Sequence, residues 1–111
     1  MPDLYPEMIE SLPEADIPFN GVAGKLLQAG DYQVVFMVIE PIGEVAPHSH
    51  GAQFGFVLEG EMDLTIDGKT ETKKKGDHYF IPAGVVHSAS FRTRVHVMDM
   101  FAEPDRYQPK P

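Results

Sequence analysis

Two histidines one residue apart, His48 and His50, and a third, His87, 37 residues further on, are the side chains here best suited to chemistry. On an extended strand, residues two apart point to the same face, so His48 and His50 can aim two imidazoles at one point. If the chain folds back to bring His87 to them, three neutral nitrogen donors converge. That is a divalent-metal site with positions left for water or substrate. The chain has no cysteine. Disulfides, zinc ribbons and thiolate catalysis are therefore excluded, and imidazole, carboxylate, amide and water remain as ligands.

The elements that must position these residues read as β-strands. Tyr32 to Ile39 (YQVVFMVI) is an apolar, β-branched run expected to be buried on both faces. Phe54 to Leu58 is another. Glu61 to Ile66 alternates Met62, Leu64 and Ile66 with polar residues, the pattern of a half-buried strand. Asp67-Gly68 supplies the two-residue turn that tight hairpins prefer, and Lys69 to Thr72 returns from it. His78 to Ile81 and Val86 to Phe91 flank Pro82-Ala83-Gly84, and Val95 to Phe101 closes the set. About eight short strands separated by turn signals predict a sandwich or barrel. Residues 1–24 read as an N-terminal arm, with four prolines in the first eighteen positions and one short helical turn around Glu7 to Leu12. Residues 103–111, rich in proline, read as an irregular tail, leaving a barrel core of about 30–102 within a single domain, 1–111.

Composition narrows the partners. A net charge of −8 sets up a field that repels phosphate, which argues against nucleic acid and anionic membrane. The one basic cluster, Lys73 to Lys75, reads as an edge strand guarded by lysines. No apolar stretch reaches the length of a membrane span. A soluble, cytoplasmic protein is expected. No phosphate-binding glycine loop and no nucleophile elbow is present.

The segment Gly43 to Gly60 (GEVAPHSHGAQFGFVLEG) resembles the first conserved motif of the cupin superfamily. Gly76 to His87 (GDHYFIPAGVVH) resembles the second, and the 15 residues between them match the spacing of small single-domain bacterial cupins. The resemblance covers roughly residues 30–102. It implies an all-β fold, a jelly-roll barrel (double-stranded β-helix) of two packed antiparallel sheets. It also implies a divalent transition metal, iron, manganese, nickel, zinc or copper, held by His48, His50, Gln53 and His87. A homodimer is the family's habit, and the apolar Tyr32 to Ile39 run agrees with a covered outer side.

Two spacings depart from the pattern. Four residues separate Gly43 from His48 where the family usually has five, and two separate His50 from Gln53 where it has three or four. A step of three puts Gln53 on the opposite face of an unbroken strand, and a bulge or tight turn at Gly51 would restore it. Gln53 is thus either a ligand or pocket donor, or a residue that only bonds neighbouring backbone. Three imidazoles and a carboxamide carry no charge, so the ion would keep its full +2 and favour anionic ligands.

Other residues have ordinary alternatives. His78 reads as a surface or turn residue. His96 alternates with Met98 and Met100 along the last strand, either lining the pocket or packing as plain strand. Phe36, Phe56, Tyr79, Phe80 and Phe91 line a cavity or simply fill the core. Tyr79, with its exchangeable proton, is a weak catalytic candidate beside His96. Three functions remain: a metal-dependent oxygenase, isomerase or lyase acting on a small molecule; a non-catalytic small-molecule binding or sensing module; and a metal-free remnant. A binding barrel hosts many chemistries, so fold alone does not choose.

Overall fold

The computed structural model describes residues 4–41 and 44–111, so Gly43, the first residue of the first motif, lies outside the described residues. After the single helical turn α1 (Glu7–Glu10) come nine strands. They are β1 (Val22–Ala29), β2 (Tyr32–Ile39), β3 (Glu44–His48), β4 (Gln53–Glu59), β5 (Glu61–Ile66), β6 (Lys69–Lys74), β7 (His78–Ile81), β8 (His87–Phe91) and β9 (Val95–Phe101). They form one five-stranded sheet in the order β1-β2-β9-β4-β7 and one four-stranded sheet in the order β3-β8-β5-β6. All pairings are antiparallel. The expected all-β jelly roll of two sheets is the fold observed.

The core lies between the sheets. Val35, Val57, Ile81, Val95, Val97 and Phe101 come from the larger sheet, and Met62, Leu64 and Phe91 from the smaller. Each such side chain taken out of water contributes about 1.5–3 kcal/mol. β5 buries Met62 and Leu64 as its alternation predicts. Its hairpin to β6 turns at Asp67 (φ 51°) and Gly68 (φ 80°), both left-handed, as the favoured two-residue turn requires. β6 is the polar edge of its sheet: Lys73 pairs with Glu71 at 3.0 Å and Lys75 with Glu59 at 3.8 Å.

Three expectations need correction. First, Val22–Ala29 is a strand, β1, rather than the end of an arm. Its inward positions are Gly24 and Leu26, and a Cβ on Gly24 would sit 2.7 Å from Val35 Cγ1. Close packing demanded a glycine where the alternation needed an apolar side chain, which hid the strand. Second, β2 is buried on one face only. Gln33, Val35, Met37 and Ile39 point inward, while Tyr32, Val34, Phe36 and Val38 stand on the outer face. Third, the tail is fastened. Asp16 N–H donates to Gln108 O (2.7 Å), Lys110 N–H to Glu14 O (2.8 Å), and Ala15 bridges Pro109. Residues 13–15 also hydrogen-bond along β1, so the chain's own two ends cover that sheet edge. Among the described residues no helix is long and apolar enough to cross a membrane.

Candidate metal centre

His48 ends β3 and His87 begins β8, and the two are direct cross-strand partners. An irregular register between Val45 and His48 precedes the pair. The chain then leaves the strand. Residues 49–52 are a connection, and within it Gly84 N–H, from the turn before β8, donates to His50 O at 2.8 Å. That bond holds His50 against the other two rings. Ring centroids are 4.3 Å apart for His48–His87, 4.7 Å for His50–His87 and 5.1 Å for His48–His50. One nitrogen of each lies within 4.8 Å of the others.

Each ring is also oriented from behind. His48 Nδ1 meets Ala46 O at 2.8 Å, His50 Nδ1 meets Gly51 O at 2.8 Å, and His87 Nδ1 meets Val85 O at 3.0 Å. A carbonyl only accepts, so each Nδ1 carries a proton and Nε2 is the ring nitrogen left to meet an ion. Burial lowers His50 to a pKa of about 4, with the charges of Arg106, His87 and His48 adding to it against the Gly51 carbonyl bond. Burial lowers His87 as well. Both are therefore neutral at pH 7, the protonation state that ligates. Glu103 Oε1 lies 3.7 Å from His50 Nδ1 but accepts the Gly51 N–H at 2.5 Å, and a neutral His50 makes that approach no ion pair.

Gln53, the first residue of β4, is buried and lines the same cavity as the three rings. The break in strand geometry at residues 49–52 cancels the face change that a step of three would impose. Its carboxamide donates a hydrogen bond to the carboxylate of Asp99. The cavity holds about 60 Å³, room for an ion's open positions and a few waters. Its wall is mostly apolar, including Val45, Met62, Leu64 and Phe91.

Asp99 was not foreseen. It is the one carboxylate among the described residues lining the cavity, and it is 3% exposed. Val95, Val97, Asp99 and Phe101 form the inward face of β9, so His96, Met98 and Met100 face outward, and of the two alternatives for His96 strand packing is the one observed. His96 instead packs edge-on to Tyr5 at 5.4 Å, in a groove outside the sheet. Tyr79 donates to Asp99 at 2.6 Å. Burial, then the Asp99 charge, pushes the Tyr79 hydroxyl up, while burial pushes Asp99 up to about 6 against hydrogen bonds from Tyr79 and Gln53. Tyr79 therefore positions Asp99 and keeps its own proton. An acid alone in an otherwise apolar inward pattern was the signal available. Phe91 joins Tyr79 inside, whereas Phe36, Phe56 and Phe80 stand on the outer face, and His78 stacks on Phe54 at 5.8 Å.

The tail supplies the last wall. Gln33 Nε2 donates to Tyr107 O (2.8 Å) and Gln33 Oε1 accepts from Tyr107 N (2.9 Å), seating Tyr107 in the cavity beside Phe101.

A two-sheet jelly roll with three histidines positioned to bind a metal ion is what the fold and the site define. The cupin domain profile matches residues 35–101, and the chain belongs to that family. Among solved structures it is similar to an RmlC-like cupin from Shewanella frigidimarina, at 27% identity and a TM-score of 0.75, covering 85% of this chain and 86% of that one. It is similar in fold to KdgF from Halomonas sp. (23% identity, TM-score 0.73, 83% and 88% covered). It also resembles in fold salicylate 1,2-dioxygenase from Pseudoaminobacter salicylatoxidans (19%, TM-score 0.70), covering 78% of this chain but 26% of that one. No curated protein matches the chain significantly.

Proposed function

We propose that this cupin is a metal-dependent enzyme acting on a small, oxygen-bearing anionic molecule, with His48, His50 and His87 as ligands and Gln53 as the fourth donor. The observation that carries the reading is the convergence of the rings: three backbone carbonyls hold three Nδ1–H groups, and one nitrogen of each ring lies within 4.8 Å of the others. A bound divalent ion would supply Lewis-acid polarisation of a substrate oxygen. Asp99 takes up the Gln53 amide N–H, so the Gln53 carbonyl oxygen is the atom free to face the ion. Asp99 is also the group within the cavity able to exchange a proton with substrate, and Tyr79 fixes where that carboxylate points. This favours an enzyme over a passive binder. The reaction class is an oxygenase, isomerase or lyase, and the metal is iron, manganese, nickel, zinc or copper.

The reading includes a homodimer, because a row of exposed apolar side chains crosses the outer face of the larger sheet. It also includes a soluble, cytoplasmic setting, which the acidic, cysteine-free composition supports.

Elemental analysis of the purified protein tests the reading. The wild type and the His78→Ala control are expected to carry about one transition-metal ion per chain. His48→Ala and His87→Ala are expected to lose at least about nine tenths of it, since two imidazoles and an amide make a poor site. Equal, negligible metal in all four proteins, after incubation with each candidate ion, would refute the metal site. Oxygen uptake and absorbance changes with small diketones, phenols and 2-oxo acids then separate oxygenase from isomerase or lyase.

A further inference from the structure

Arg106 belongs to the tail, outside both conserved motifs, and its surroundings are unusual for an arginine. Its guanidinium carbon lies 4.6 Å from the Tyr107 ring centroid and 5.9 Å from that of Phe101. Both rings line the cavity, and the Phe101 ring is 5.5 Å from that of His50. Its Nε is buried and has no hydrogen-bond partner among the described residues. The nearby acid, Glu103, is occupied by Gly51 N–H and makes no ion pair with Arg106 among those residues.

A guanidinium stacked on aromatic faces is held in one plane, and here those faces belong to two rings that line the cavity. A buried N–H left unmade costs about 1–3 kcal/mol, which a structural arginine would avoid by turning to solvent. We propose that Arg106 is the anchor for a carboxylate group on the substrate, which makes the substrate a small carboxylic acid bearing a second oxygen. The carboxylate pairs with the Arg106 fork at the rim, and the second oxygen faces the three imidazoles. This rests on the metal-site reading above for the second oxygen only. A carboxylate is favoured over a phosphate because Arg106 is one cation, the cavity is small and largely apolar, and Asp99 already places an acid there.

The test is calorimetric titration of the purified protein, with and without its metal, using pyruvate, its uncharged methyl ester and orthophosphate as probes. Arg106→Gln and Arg106→Lys are compared with wild type, each checked for an unchanged thermal midpoint and metal content. Wild type should prefer pyruvate to the ester by about 10–100-fold, the worth of a charge-assisted hydrogen-bonded pair. Arg106→Gln should abolish that preference while leaving ester affinity within about twofold. Arg106→Lys should keep only part of it, because the charge remains and the fork is lost. Pyruvate affinity unchanged in Arg106→Gln overturns the assignment of Arg106, whatever the metal content. No binding of pyruvate to wild type, or orthophosphate binding tighter than pyruvate, overturns the carboxylate class. Loss of the preference in Arg106→Gln from a protein that takes up no metal upholds Arg106 and refutes the metal centre instead.

Discussion

His50 and Asp99 face one cavity and have been displaced in opposite directions by the same cause, burial of a charge. For His50 the folded pKa, about 4, lies below the unfolded value of about 6.5. Between those values the unfolded chain binds the extra proton, so stability falls as pH falls. For Asp99 the folded pKa, about 6, lies above the unfolded value of about 3.9. There the native state binds the extra proton, and stability falls as pH rises through that window. Each shift is worth about 3 kcal/mol, so the two oppose each other between about pH 4 and 6, with His87 adding to the His50 side. Metal-free wild type is therefore expected to lose less stability on acidification across that range than a variant lacking Asp99. Asp99→Asn removes one side of the balance, and its stability should drop by about 3 kcal/mol on acidification from pH 6.5 to 4. Denaturant melts at half-unit pH steps measure both, and parallel profiles for the two proteins would contradict the assignment.

At the scale of elements, a glycine decides how Tyr79 reaches Asp99. Val35, Asp99, Gly55 and Tyr79 form one transverse row across β2, β9, β4 and β7. Tyr79 and Asp99 flank β4 from its two sides, so the ring must lie across the strand between them. It does so over Gly55, where an added Cβ would stand 2.0 Å from Tyr79 Cζ. Gly55→Ala is expected to destabilise the protein by at least about 2 kcal/mol through overpacking. It should also break the Tyr79–Asp99 bond. Combined with Tyr79→Leu the two losses should be far from additive, because the clash disappears with the ring. Additive losses in chemical denaturation would mean that the ring does not depend on that glycine. Gln33 does comparable work for the tail: its side chain pairs with both backbone groups of Tyr107, as a strand partner would.

At the scale of the whole molecule, Leu27, Val34, Met100, Phe54 and Phe80 form a continuous row across all five strands of the larger sheet. Phe80 is 58% exposed and Leu27, Phe54 and Met100 are each above 40%, although the Phe54 ring also stacks on His78. A monomer gains nothing from such a row, whereas a second copy would bury it. Light scattering is expected to give twice the single-chain mass, and Phe80→Glu with Met100→Glu to give the single-chain mass with the fold intact. A wild type that stays single at micromolar concentration would remove the homodimer from the proposal.

Much of this was readable along the chain because its signals are local. The β5–β6 hairpin follows from side-chain alternation and an Asp-Gly turn within twelve residues, and His48, His50 and His87 announce themselves by type and by motif spacing. What was not readable depends on which face of an element meets another. β9 offers two alternating sets, and only packing chose the one containing Asp99 over the one containing His96. Gln53 faces the imidazoles because the strand breaks at residues 49–52, a tertiary bond from Gly84 helping to hold that break. Tyr107 reaches the cavity because Gln33, 74 residues away in sequence, fastens the tail. Sequence alone determined the histidines and most of the strands, since type, period and turn chemistry act over a few residues. The tertiary structure decided the acid and the wall, since burial and hydrogen bonding between distant segments set which way each side chain points.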